Sequence, residues 1–450
     1  MSATTNIPFV LALQEARAHT LELIADLNDE QMIGPRLAIV NPLRWEIAHV
    51  AWFQEYWLLR HLRQMEPTWD QADRMYDSAR IAHDARWELP LPPKVETIDY
   101  MQRILDHVVE RTAAKAAPSI NGYNEAYFLQ LALFHEDMHA EAITYTRQTL
   151  GYPAPRITIA PDITHATPPS MSSHSSPIGL GDAEVPGGRF LLGGGPAEHF
   201  VFDNEICGYR VEVEPFAISR TAVTNGEFAA FVDEGGYRRR EFWDEQGWLW
   251  REGAGAGHPV YWQPLGGGRW LRRNFDQWLP LDDELPVLHV NWYEASAYCR
   301  WANRRLPTEA EWEMAASAEP NTDGDGIAER KRLYPWGDEA PTQERANLDW
   351  RGMGCIAAHA LPASESAFGC RQMIGNTWEW TASDFAPFPG FVAGPYKEYS
   401  APWFGDHKVL RGGCWVTRSR LIRNNYRNFY KPDRRDVWAG FRTCALVKEQ

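Results

Sequence analysis

The sequence predicts two domains of different class: a four-helix bundle followed by an irregular α+β domain. Three observations carry this. At 450 residues the chain exceeds what one hydrophobic core normally organises. Over residues 1–161 apolar side chains recur every three or four positions, the period of amphipathic helices. Over residues 182–450 that period gives way to short segments punctuated by Gly, Pro and Trp, as in "VPGGRFLLGGG", "RVEVEPFAISRTAVT" and "VLRGGCW". Residues 162–181, "DITHATPPSMSSHSSPIGLG", are rich in Ser, Pro and Gly and read as a linker.

In chain order, "PFVLALQEARAHTLELIADL" supplies the first helix and "NPLRWEIAHVAWFQEYWLLRHL" the second. A long connection, residues 63–96, leads to the third, "TIDYMQRILDHVVERTAA"; it is too long for a simple turn and is a candidate functional loop. The fourth, "LALFHEDMHAEAITYTRQTLGYP", is stopped by Gly151 and Pro153. Four such segments make a bundle. In the second domain only "NGEFAAFVDEG" and "NWYEASAYCRWANRRLPTEAEWEMAAS" read as helical.

The formal net charge of −15 argues against nucleic acid or an anionic membrane as partner. No stretch reaches the roughly 18 apolar residues of a membrane span, and the N-terminal residues lack the pattern of a signal peptide, so a cytoplasmic location is expected. All six cysteines fall in the second half without CxxC spacing and are expected to be free and mostly buried.

The fourth helix raises a chemical question, because it sets His135 and His139 among residues that ought to be core. At about 100° per residue, positions i and i+4 share one face, so both imidazoles can aim at one point. His49, mid-helix in "WEIAHVAWF", can face them across a bundle. Glu141 points roughly 200° away from His139 and is left to packing or an outer role. Three neutral imidazoles leave coordination positions open, which suits iron(II) activating oxygen or zinc activating water.

The motifs "VPGGRFLLGG", "PVLHVNWYEASAYCRWANRRLPTEAEWEMAA", "YPWGDEAP", "MIGNTWEWTASDF", "VLRGGCW" and "AGFRTCA" resemble the formylglycine-generating-enzyme domain, a lectin-like irregular fold. The first half resembles a DinB-like bundle with HxxxHxE. Joined in this order, they resemble the ergothioneine sulfoxide synthase family, including its selenoneine synthase branch. That resemblance implies Fe(II) held by His49, His135 and His139, and O2-dependent joining of a sulfur or selenium donor to the imidazole C2 of hercynine. It implies a site to which both halves contribute. Tyr396, in "GPYKEYSAPWF", takes the place of the family's proton- or hydrogen-donating tyrosine, and Tyr399 would face hercynine. Asn428 and Phe429, in "YRNFYKP", are implied hercynine contacts.

Three departures bear on the donor. Met138 stands where the sulfoxide synthases have a hercynine-contacting glutamine, and Tyr430 where they have an aspartate for the amino group of γ-glutamylcysteine. Their arginine pair for the donor's carboxylates has no counterpart in "YDSARIAHDARWELPLPP". A zwitterionic dipeptide buried without charged partners is poorly compensated, so a less charged donor, the selenosugar of the selenoneine branch, is expected. Tyr76, Arg80, His83 and Arg86 are the candidate donor contacts. The rival classes are a formylglycine-generating oxidase, whose paired cysteines are missing from residues 416–435, a zinc-dependent DinB-like hydrolase or transferase, and a non-enzymatic binding module.

Overall fold

The period-3.6 segments of the first half form the expected helices, and local capping chemistry sets their ends. In the computed structural model, which describes residues 7–114, 116–158, 181–194, 200–323 and 326–446, the chain divides into two compact units, Met1–Pro161 and Asp162–Gln450. The linker read at 162–181 lies outside the described residues except for Gly181. Among the described residues no helix is long and apolar enough to cross a membrane.

The first unit contains α1 (Ile7–Ile24), α2 (Asp29–Ile33), α3 (Leu43–Gln54), α4 (Ala72–Tyr76), α5 (Lys94–Ala114) and α6 (Glu125–Leu150). Helix α6 starts where the Asn124 side chain accepts from the Tyr127 N–H and ends at left-handed Gly151, as its sequence signals. Helix α3 continues through Glu55–His61 as a π-helix, a widening that the periodicity alone does not reveal. Helix α1 packs on α5 and α6, and α3 packs on α5 and α6.

One buried polar knot ties these four helices together. Arg17 of α1 donates from Nε to Glu136 Oε1 of α6 (2.9 Å), from Nη2 to Gln54 Oε1 of α3 (2.9 Å) and from Nη1 to the Met101 carbonyl of α5 (2.5 Å). Gln54 Nε2 closes the ring on Glu136 Oε2 at 2.6 Å. Because Glu136 adjoins His135 and Gln54 shares a helix with His49, this knot fixes the register of α3 against α6 that the histidines require.

The second unit carries short sheets rather than one large one. A four-stranded sheet runs Asp182–Val185, Phe216–Ser219, Cys444–Ala445, Arg304–Arg305, and another runs Asn428–Tyr430, Lys408–Arg411, Trp378–Asp384, Ala439–Gly440. Helices α7 (Asn225–Asp233), α8 (Glu245–Ala254), α9 (Trp292–Trp301) and α10 (Glu309–Ser317) lie between them in sequence. Capping boxes start three of these: Thr224 with Glu227, Asn291 with Glu294, and Thr308 with Glu311. The long stretch "NWYEASAYCRWANRRLPTEAEWEMAAS" is therefore two helices split by the Arg304–Arg305 strand, and α8 escaped the periodicity reading. All six cysteines are free, four of them buried.

Gly375 illustrates how tightly the loops close. Its φ is +83°, and an added Cβ would meet the Asn347 carbonyl oxygen at 2.6 Å. Gly375→Ala is expected to destabilise the second unit by about 2 kcal/mol or more, from left-handed strain plus a backbone clash, read as a lowered midpoint in urea.

Candidate metal centre

On α3 and α6 the three histidines converge. The ligand-capable ring nitrogens of His49, His135 and His139 all lie within 4.8 Å of one another. The Nε2 atoms of His135 and His139 are 3.1 Å apart. Two imidazoles bound at right angles to one ion, each about 2.1 Å from it, would sit about 3 Å apart, so this edge has the length a shared metal demands.

Tautomers are set from behind. His49 Nδ1 donates to the Tyr76 carbonyl at 2.7 Å, and His139 Nδ1 donates to Glu46 Oε1 at 2.5 Å. Both partners only accept, so each Nδ1 carries the hydrogen and each Nε2 presents a lone pair to the common point. Aromatic walls hold the rings. His135 stacks on Phe53 (3.6 Å, 6°), and His49 stacks on Trp45 (4.8 Å, 8°) and Trp52 (5.7 Å). The donor set fits a divalent transition metal: three imidazoles with two hydrogen-bonded outer partners, and no thiolate among them.

Burial keeps His49 and His135 neutral and ready to ligate. Burial first, then the neighbouring His139, brings His49 down to about 3. His135 lies well below the ordinary histidine value for the same reasons, with His49 contributing. Burial works against ionisation of Glu46, yet its interaction with His139 and the hydrogen bonds from His139 and the Asn41 amide outweigh it and hold the carboxyl below its usual value.

The sign for stability follows from His49. Below about pH 6.5 the unfolded chain takes up a proton that the folded chain refuses until about pH 3, so stability is full above 6.5 and is lost as the pH falls. The metal-free protein is expected to lose on the order of a few kcal/mol through this window, with a flatter slope for His49→Gln, measured by urea unfolding at successive pH values.

The other candidate residues fall in two places. In the first unit Met138 is half-buried beside His139 on α6. Tyr76 is 1% exposed, its ring packed by Trp69 and Tyr100, and it reaches the site through its carbonyl. His83 Nε2 donates to the Val40 carbonyl at 2.8 Å, Arg80 is exposed and pairs with Asp77 at 2.9 Å, and Arg86 donates to Asn41 Oδ1 at 2.5 Å. In the second unit the Tyr396 and Tyr399 rings are 6.1 Å apart, and Tyr399 lies 5.8 Å from Phe429. Tyr399 stacks on Phe202 at 4.3 Å, and burial, then Tyr426, holds its hydroxyl protonated well above the ordinary tyrosine value. Asn428 caps the Phe429 N–H at 2.8 Å, and Arg434 lies over the Tyr430 ring at 5.2 Å. Glu46 and Asn41 were not read from the sequence. The signal was present for Glu46, which precedes His49 by three residues and so shares its helical face.

Residues 12–143 match the DinB superfamily and residues 174–447 the sulfatase-modifying factor enzyme 1-like domain. A hercynine oxygenase from Mycobacterium tuberculosis is 36% identical over 435 residues, covering 96% of each chain. The chain belongs to the hercynine oxygenase family. It is an oxygen-dependent oxidoreductase. The family's Mycolicibacterium smegmatis hercynine oxygenase is 33% identical over 95% of this chain and 96% of its own. The formylglycine-generating enzyme of Streptomyces coelicolor, also 33% identical, covers only 59% of this chain, so the two-domain arrangement is shared with the hercynine oxygenases.

Proposed function

We propose that this hercynine oxygenase homologue holds Fe(II) on His49, His135 and His139 and uses O2 to form a carbon–chalcogen bond at the imidazole C2 of hercynine. The observation that carries the reading is the convergence of three imidazoles, two of them braced from behind by hydrogen bonds, in a chain that matches hercynine oxygenases along nearly its whole length. When bound, the metal supplies the redox change that oxygen activation needs and a Lewis-acidic site that favours an anionic chalcogen. The chain's own residues do the rest. Glu46 and the Tyr76 carbonyl keep the ligand nitrogens unprotonated, and the Phe53, Trp45 and Trp52 rings exclude water from behind them. Tyr396 is assigned as proton or hydrogen donor. Met138, Tyr399, Asn428 and Phe429 are assigned as hercynine contacts, where an aromatic face offers the trimethylammonium group about 0.5–2 kcal/mol.

For the donor, the loop favours a selenosugar. Arg86 is engaged with Asn41, Arg80 is solvent-facing with Asp77, and Tyr430 stands where a dipeptide would need an acid. A dipeptide's carboxylates would find little to pair with there. The second reading, an ergothioneine-type sulfoxide synthase taking γ-glutamylcysteine or cysteine, is the one that the near full-length match to hercynine oxygenases supports better. The test is anaerobic reconstitution with Fe(II), addition of hercynine with each donor in turn, admission of air and identification of the product by mass. A hercynine–selenium adduct from the selenosugar is expected. Turnover with the sulfur donors alone would overturn the donor assignment, and no oxygen uptake with any donor would overturn the reaction class.

A further inference from the structure

Arg86 sits on the long connection between α3 and α5, yet its guanidinium reaches two side chains, Asn41 and Trp45, from each of which contacts lead to a candidate metal ligand. Its Nη1 donates to Asn41 Oδ1 at 2.5 Å. Asn41 passes the polarity on, its Nδ2 donating to Glu46 Oε2 at 2.6 Å, and the other oxygen of that carboxylate accepts from His139 Nδ1 at 2.5 Å. The same guanidinium lies 3.9 Å from the centroid of Trp45, which stacks on His49 and is itself pinned by Nε1–H to the Met75 carbonyl at 2.7 Å. In the Asn41 branch every link is a donor facing an acceptor, and it runs from a fixed cation to a metal-ligating ring.

We infer that Arg86 and Asn41 are positioning residues of the metal centre, acting through Glu46 to orient His139 and through Trp45 to hold His49. The inference rests on the metal reading above and gives Arg86 a task other than contacting the donor. The carboxylate raises the basicity of the imidazole it holds, and the Asn41 and Arg86 donors behind it fix its orientation.

The test is a double-mutant cycle read by Co(II) affinity, measured by chelator competition on the full chain, with thermal unfolding as the check on folding. Glu46→Gln is expected to weaken Co(II) binding about 10–100-fold, and Arg86→Met and Asn41→Leu each about tenfold. In the Glu46→Gln background Arg86→Met should add at most the part carried by Trp45, a loss clearly smaller than it causes in the unaltered chain. The exchangeable, paramagnetically shifted Nδ1–H of His139 in the Co(II) protein should move in Arg86→Met, a change that loop loosening alone would not produce. An undiminished Arg86→Met effect in the Glu46→Gln background, or no effect in the unaltered chain, would overturn the relay. Failure of the unaltered chain to bind Co(II), or binding indifferent to His135→Ala, would instead overturn the metal reading on which it stands.

Discussion

His135→Ala is expected to abolish stable metal binding and oxygen-dependent turnover together while leaving the helical content intact. His135 is 3% exposed, stacked face to face on Phe53, and its Nε2 is one end of the 3.1 Å edge shared with His139. Alanine leaves two imidazoles on different helices and a small void beside Phe53. Losing an outer partner of a metal ligand typically costs 10–100-fold in affinity, so losing the ligand itself should exceed about a hundredfold. Metal content after desalting and oxygen uptake both report it, with circular dichroism as the folding control. A variant that keeps its metal while losing turnover would show that His135 serves catalysis by another route.

The second large effect lies one residue further along α6. Glu136→Ala should destabilise the first unit by about 3–5 kcal/mol, the range for a buried charge stripped of its partner. Arg17 is 1% exposed, and without Glu136 its guanidinium is left, among the described residues, with Gln54 and the Met101 carbonyl. Gln54 Nε2 loses its acceptor as well. The midpoint of urea unfolding is the readout. Replacing the whole knot with apolar residues, Arg17→Met with Gln54→Met and Glu136→Leu, should recover most of the loss, because desolvation offsets much of what a buried ion pair contributes. If Glu136→Ala unfolds at the unaltered midpoint, the knot does not hold the bundle register.

Much of the site was legible because helical geometry is local. The i, i+4 spacing of His135 and His139, the mid-helix position of His49 and the stop at Gly151 are properties of short stretches, and α3 and α6 place them as the spacing implies. What stayed hidden depends on contacts between distant segments. Arg17 and Glu136 are 119 residues apart, and Arg86 and Asn41 are 45 apart. An arginine on a polar loop reads equally as a ligand contact or as a brace until tertiary packing chooses. Helix α8 was missed for a different reason, since "EQGWLWREGA" buries only Gly247 and so carries little of the apolar stripe that periodicity detects. The π-helical turn after α3 keeps helical composition and changes only hydrogen-bond pattern, to which a residue count is blind.

Crystals of the Fe(II) protein grown without oxygen, measured by anomalous diffraction at the iron edge, address the central claim most directly. One peak bonded to the Nε2 atoms of His49, His135 and His139, with its remaining positions free of protein ligands, is the expected result. A peak elsewhere, or a fourth protein side chain closing the coordination sphere, would contradict it.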